Sequence, residues 1–382
     1  MPLADRPDWD IFCTVIDNFG DIGVCWRLAR QLAAEHDCRV RLWVDDLQVF
    51  QPLCPRIDPQ LPIQQVQGIE VRHWETPFPD VTPGMVVVEA FACKIPERFV
   101  AAMARCERRP AWINLEYLSA ENWIAGCHAL PSPHPRLPLT KYFFFPGFTR
   151  DTGGLLREND LLARRRAFEN SPDLQAEFWR ELGFSAPRAD ALHISLFAYE
   201  NPSIGDLLCA WEIGSQPVCC LIPTSRTLPA VEAFCGQALR AGDTVRRGAL
   251  EIRIVPFVEQ SRYDQVLWLC DLNFVRGEDS FVRAQWAARP LAWHIYPQQE
   301  DAHLVKLDAF LDLYCAGLPA AIAAVAQKFW QAWNTGQLTA GQWREFSSTL
   351  PALREHAVRW AQQLAEQEDL SSALVRFCRS KL

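Results

Sequence analysis

Residues 10–31, Asp-Ile-Phe-Cys-Thr-Val-Ile-Asp-Asn-Phe-Gly-Asp-Ile-Gly-Val-Cys-Trp-Arg-Leu-Ala-Arg-Gln, admit few folds. Residues 11–16 form an apolar run of strand type, and Asp17-Asn18-Phe19-Gly20-Asp21 interrupts it. From there Ile22, Trp26 and Ala29 recur on one helical face. The pattern predicts a buried strand, a tight turn and an amphipathic helix. In an open α/β sheet ligands sit beyond such a strand end, where the N–H groups of the helix start favour an anion. Asp17 and Asp21, four residues apart, frame the turn. Ordinary turn chemistry accounts for Asp-Asn-x-Gly, and taken alone Asp21 reads first as an N-cap, because caps far outnumber catalytic acids, so other residues must decide.

A chain of 382 residues suggests two domains of ordinary size. Hydrophobic residues make up 49% and charged residues 22%, with no low-complexity tract, which is the composition of a folded protein. The net charge of −8 argues against a general nucleic-acid binder, because neutralising phosphates needs a basic surface. The 14 cysteines are scattered, without a Cys-x-x-Cys pair or a zinc spacing. Cys13, Cys93 and Cys270 lie in apolar runs, where a thiol packs as a small hydrophobe. The first residues lack the basic-then-apolar order of a signal peptide, and no apolar run approaches spanning length. The expectation is a reduced, cytoplasmic protein without a membrane segment.

Strand-like runs follow at 39–46, 69–73, 85–89 and 111–115, with a helical pattern at 96–105. This alternation predicts parallel strands joined by crossovers, a Rossmann-like domain over residues 1–184. The first turn has no Gly-x-Gly-x-x-Gly, so a nicotinamide or flavin role lacks support. Pro131, Pro133, Pro135 and Pro138 hold the next segment extended before the aromatic run at 141–149, which is expected to pack the core. A charged helical patch at 161–182 leads to a linker-like stretch near 183–188.

Strands at 192–199, 218–223, 250–258 and 267–274 then predict a second α/β domain over 190–358. The remainder is helical, in segments at 320–333, 340–348 and 352–367 and a last one to the end. Residues 271–288 repeat the opening motif: a strand ends in Gly277, and a helix begins at Glu278-Asp279-Ser280. Those three are plausible caps. Arg276, just before a helix N-terminus, forms with the helix N–H groups a site for a phosphate or diphosphate, or else pairs structurally with Glu278 or Asp279. Two such sites, one per domain, point to a ligand in a cleft between them.

Residues 17–32 together with Arg276-Gly-Glu-Asp-Ser-Phe-Val-Arg-Ala-Gln-Trp286 resemble the EarP family, bacterial protein-arginine rhamnosyltransferases that modify translation elongation factor P. Both motifs match in order, and the likeness runs over nearly the whole chain. The resemblance implies an α/β GT-B architecture: an N-terminal acceptor domain, a C-terminal nucleotide-sugar domain, and a C-terminal helix, about 360–382, crossing back to the first. It implies inverting, metal-free transfer of L-rhamnose from dTDP-β-L-rhamnose to an arginine nitrogen, with no cofactor. It would make Asp21 the general base, Asp17 a supporting carboxylate, and Glu278 a third essential acid near sugar and acceptor. Asn18, Phe19 and Gly20 would contact the donor. The thymidine diphosphate would lie against Phe257 and Gln260, held by the turn of Arg276, Gly277, Asp279 and Ser280.

The residues are compatible with that chemistry. An arginine guanidinium is a poor nucleophile, delocalised and protonated, and carboxylates can orient it and accept a proton as the C–N bond forms. The diphosphate needs its growing charge stabilised, a task for Arg276 and backbone N–H groups. Asp45-Asp46 is a weak counter-candidate for a metal and reads better as a strand end. Tyr199 and Tyr296 follow strand-like runs, and either hydroxyl could reach a diphosphate. Two rivals stand beside this reading. One is a GT-B transferase with another sugar nucleotide or with a carbohydrate or lipid acceptor; the other is a non-enzymatic module binding a nucleotide sugar or a translation factor.

Overall fold

The computed structural model describes residues 8–17 and 19–382. The chain divides into two compact units, one of Met1–Asn159 with Ala365–Leu382, the other of Asp160–Leu364.

In the first unit, β1 (Asp8–Cys13), β2 (Arg39–Val44), β3 (Ile63–Val66), β4 (Ile69–His73), β5 (Val86–Ala90), β6 (Ala111–Leu115), β7 (Pro131–Pro133) and β8 (Thr140–Phe144) form one sheet. Its order is β3-β4-β2-β1-β5-β6-β8-β7. The six inner strands pair parallel, and the edge strands β3 and β7 pair antiparallel with β4 and β8. β5 and β6 are buried at every position, as parallel strands covered on both faces must be. Helices α1 (Gly20–His36), α2 (Leu47–Phe50), α3 (Glu97–Arg105) and α4 (Ile124–Cys127) make the connections. Ile22, Trp26 and Ala29 on α1 are buried, but so is every other residue at 21–29, so this part of the helix is enclosed all round and not amphipathic as expected. The aromatic run also packs the core, with Phe144, Phe145 and Phe148 buried. So are the thiols of Cys13 and Cys93, and that of Cys270 in the second unit.

The second unit opens with α5 (Leu161–Glu169) and α6 (Pro172–Glu181) and continues with β9 (Leu192–Leu196), α7 (Ser203–Glu212), β10 (Val218–Pro223), α8 (Leu228–Cys235), β11 (Thr244–Arg247), β12 (Leu250–Val255), α9 (Gln260–Leu269), β13 (Leu272–Arg276), α10 (Asp279–Ala287) and β14 (Leu291–His294). Its sheet runs β11-β12-β10-β9-β13-β14, parallel except for the β11 edge. Helices α11 (Ala302–Cys315), α12 (Ala320–Asn334) and α13 (Ala340–Ala365) follow, and α14 (Leu370–Arg379) belongs to the first unit.

Two sequence expectations shift. The division falls at Asp160, not at 184–190, because α5 and α6 pack with the second unit: Phe168 meets Phe178 at 6.0 Å and Trp268 of α9 at 5.7 Å. The run at 267–274 is not one strand. Leu267, Trp268 and Leu269 close α9 and the strand starts at Leu272, since a fully buried apolar run looks alike in either conformation. Among the described residues no helix is long and apolar enough to cross a membrane.

Candidate active site

In the first unit the chemistry gathers where β1 gives way to α1. Asp21 sits in the first turn of α1, 2% exposed. Its side chain does not cap that helix. It reaches back, and Oδ2 accepts the backbone N–H groups of Ile16 and Asp17, both at 2.8 Å, so the carboxylate shapes the loop ahead of it. The loop is closed further by the Gly20 N–H, donating to the Asp17 carbonyl at 2.6 Å. Oδ1 accepts the Tyr117 hydroxyl at 3.1 Å. Oδ2 thus carries two hydrogen bonds and Oδ1 one, which makes Oδ1 the oxygen more open to a further proton.

Burial raises the Asp21 carboxyl above its ordinary value; the hydrogen bonds from Asp17, Ile16 and Tyr117 hold it down in part, and the Asp45 carboxylate adds to the rise. The result is a more basic carboxylate than a surface aspartate. Tyr117 lies just past β6 and stacks on Phe91 at 4.5 Å and 18°, which fixes its hydroxyl. Asp17 is half-buried, and its Oδ2 lies 2.7 Å from where a Cβ on Gly20 would stand, so only glycine fits beside that carboxylate as placed. Phe19 and Gly20 are half-buried in the same turn; Asn18 lies outside the described residues. Asp45 and Asp46 are both engaged by backbone: Asp45 accepts the Val15 N–H at 2.9 Å, and Asp46 caps α2 through the N–H groups of Gln48 and Val49.

In the second unit the strand-to-helix turn between β13 and α10 brings together most of the residues expected there. Gly277 takes φ +60°, and the Trp293 indole N–H donates to its carbonyl at 2.7 Å, while Trp293 stacks on Phe281 at 3.9 Å. The Arg276 N–H donates to Ser280 Oγ at 3.1 Å, and the Ser280 hydroxyl donates back to the Arg276 carbonyl, so this hydroxyl first of all fastens the turn. Glu278 occupies the N-cap position without a side-chain capping bond, which leaves the capping reading without support at that residue. Gln260, the first residue of α9, donates to Asp279 Oδ2 at 3.0 Å.

Arg276 is 5% exposed and its guanidinium lies over two rings, Phe197 at 4.5 Å and Tyr199 at 4.9 Å. Such stacking holds the charge in place without cancelling it, as an anion site requires. Tyr199 meets Tyr296 edge-on at 5.6 Å. Phe257 is half-buried in the loop before α9. Sequence reading missed Tyr117 and His294. Each stands at or just past the end of a strand, the position at which Asp17 and Arg276 were found, and that placement was the available signal.

Comparison with known proteins adds an independent line. The model of a family described as Elongation-Factor P (EF-P) rhamnosyltransferase EarP matches residues 9–379. A Pseudomonas aeruginosa protein named protein-arginine rhamnosyltransferase is 53% identical over 370 residues, covering 97% of this chain and 98% of its own. A Neisseria meningitidis protein of the same name is 36% identical over 379 residues, covering 96% of each chain. A solved structure described as the structural basis for EarP-mediated arginine glycosylation of translation elongation factor EF-P is 38% identical, with a TM-score of 0.72 over 99% of this chain and 100% of that one. MurG of Acinetobacter baumannii, 11% identical with a TM-score of 0.50 over 98% and 99% of the two chains, shares the fold alone. The two Rossmann-like units are thus of the GT-B type.

Proposed function

The chain belongs to the EarP family of elongation factor P rhamnosyltransferases, and from that premise we propose that it moves L-rhamnose from dTDP-β-L-rhamnose to an arginine side chain of elongation factor P, with inversion and without a metal. The observation that carries this reading is the Asp21 carboxylate, buried, raised in basicity, and with Oδ1 the oxygen more open to a further proton.

In this reading Asp21 Oδ1 takes the proton that the guanidinium nitrogen gives up as the new C–N bond forms. Asp17 orients the guanidinium, whose charge and planar fork suit a carboxylate partner. As the bond from the anomeric carbon to the diphosphate breaks, negative charge grows on the leaving oxygens. Arg276 and the N–H groups at the start of α10 stabilise it. Glu278, just before α10, is assigned to the sugar, and Phe257 and Gln260 to the nucleoside. Inversion follows from attack on the face opposite the leaving diphosphate.

The test mixes the purified protein with dTDP-β-L-rhamnose and elongation factor P, without added metal, and records the intact mass of the acceptor. A gain of one deoxyhexose, lost when the acceptor's loop arginine is replaced by lysine, is the expected outcome. No gain, with dTDP still bound, overturns the acceptor assignment and leaves a nucleotide-sugar transferase acting on another molecule.

A further inference from the structure

His294 ends β14 in register with Arg276, the last residue of β13. Registered residues on neighbouring parallel strands project to the same side of a sheet, so imidazole and guanidinium emerge together at the carboxyl ends of the strands, where open α/β sheets hold ligands. Tyr199 joins them: its ring meets His294 edge-on at 5.3 Å and lies beneath the Arg276 guanidinium at 4.9 Å.

The imidazole is 4% exposed, and among the described residues neither ring nitrogen has a hydrogen-bond partner; Nδ1 is wholly enclosed. Buried polar groups are nearly always satisfied, so a buried imidazole beside an anion site with no protein partner calls for one. The groups facing the ring are Arg276 from β13, His303 from α11, Tyr199 beyond β9 and, against Tyr199, Tyr296 beyond β14, with Trp333 of α12 at 5.6 Å. Burial first, then Arg276 and His303, push the imidazole pKa down to about 4, so at neutral pH the ring is uncharged and keeps one N–H to donate. The neighbouring cations and rings offer it no strong acceptor. A phosphate oxygen would.

We propose that His294 binds the diphosphate of the nucleotide, donating an imidazole N–H to an oxygen on the anion that Arg276 also holds. This deepens the donor reading above and rests on it. Arg276 supplies charge to the whole anion, while a neutral imidazole supplies one directed bond, so the pair distinguishes a diphosphate from a nucleoside that carries none.

The test measures binding of dTDP and of thymidine by calorimetry to the full chain and to His294→Gln and His294→Phe. In the wild type dTDP is expected to bind far more tightly than thymidine. In both variants that preference falls about tenfold, the size of one lost hydrogen bond to a charged group, while thymidine binds as before. A wild type without preference for dTDP overturns the donor reading itself. A preference unchanged in the variants overturns the role of His294 alone. If neither variant folds, ring 15N shifts of His294 in the wild type decide: movement with dTDP but not with thymidine is expected, and no movement with dTDP sinks the proposal.

Discussion

At the scale of single residues, Asp21 separates two roles by substitution. Asn at position 21 retains an oxygen for the Ile16 and Asp17 N–H groups but cannot take up a proton. Because burial raises the folded-state pKa above the unfolded value, the contribution of Asp21 to stability is greatest at low pH. It is lost as pH climbs from the unfolded through the folded value. Asp21→Asn is therefore expected to melt no lower than the wild type at neutral pH, while turnover drops by a factor on the order of 10² to 10⁴, the contribution of a positioned general base. A calorimetric scan beside an acceptor-mass assay reads both. Tyr117→Phe removes a bond that favours the ionised carboxylate, so the acid limb of the pH–rate profile moves to higher pH and activity at high pH changes least. An unmoved limb would show that another group controls it. Gly20→Ala places a methyl 2.7 Å from Asp17 Oδ2; the carboxylate turns away, and activity falls with little change in melting temperature. Asp17, Asp21 and Arg276 were legible because strand, turn and helix signals bracket them. Tyr117 and His294 were not, because their partners are distant in sequence: Tyr117 reaches Asp21 across 96 positions.

At the scale of elements, the strands were legible where apolar runs are short and bounded, as at Ala111–Leu115, and the helices where the period is clear, as in α3. The segments expected at 340–348 and 352–367 are one helix: α13 continues through Pro351 as 26 residues, with Phe346, Leu353, Ala357 and Trp360 buried on both sides of the proline. The edge strands β3, β7 and β11 carry too few apolar residues to announce themselves. A different kind of element-scale device starts α14. Asp369 Oδ1 accepts the N–H groups of Ser371 at 3.0 Å and Ser372 at 3.2 Å, the Ser371 hydroxyl at 2.7 Å, and Gln31 of α1 at 3.0 Å. Asp369→Ala loses the cap, while the Gln31 amide keeps the Glu35 carboxylate at 2.9 Å and the Arg157 carbonyl at 2.8 Å. It should lower the unfolding free energy of the first unit by roughly 1 kcal/mol, read as an earlier urea midpoint. An unchanged midpoint would mean that water replaces the carboxylate.

At the scale of the whole molecule, two α/β units were legible because strand, turn and helix patterns recur on both sides of the middle of the chain. Their boundary was not, since α5 and α6 are amphipathic helices whose sequence does not say which sheet they cover. The first unit is discontinuous in sequence. Its returning segment is bound tightly: Leu370 donates to the Leu155 carbonyl at 3.0 Å, Arg157 to that of Ala365 at 2.7 Å, and Gly154, at φ +74°, leaves only 2.3 Å between its missing Cβ and the Glu368 carbonyl. Residues 160–364 should therefore fold alone, with a cooperative melt and retained dTDP binding, whereas residues 1–159 should not fold until a peptide of 365–382 is added. Circular dichroism of the separate pieces tests both expectations.

That returning segment also sets an order of events on the ribosome. The unit that starts first is finished last, since the helix that covers α1 is translated only after every residue of the second unit. The nascent first unit must wait, with the face meant for α14 uncovered, while its neighbour is completed, and that interval is when a chaperone would have something to hold.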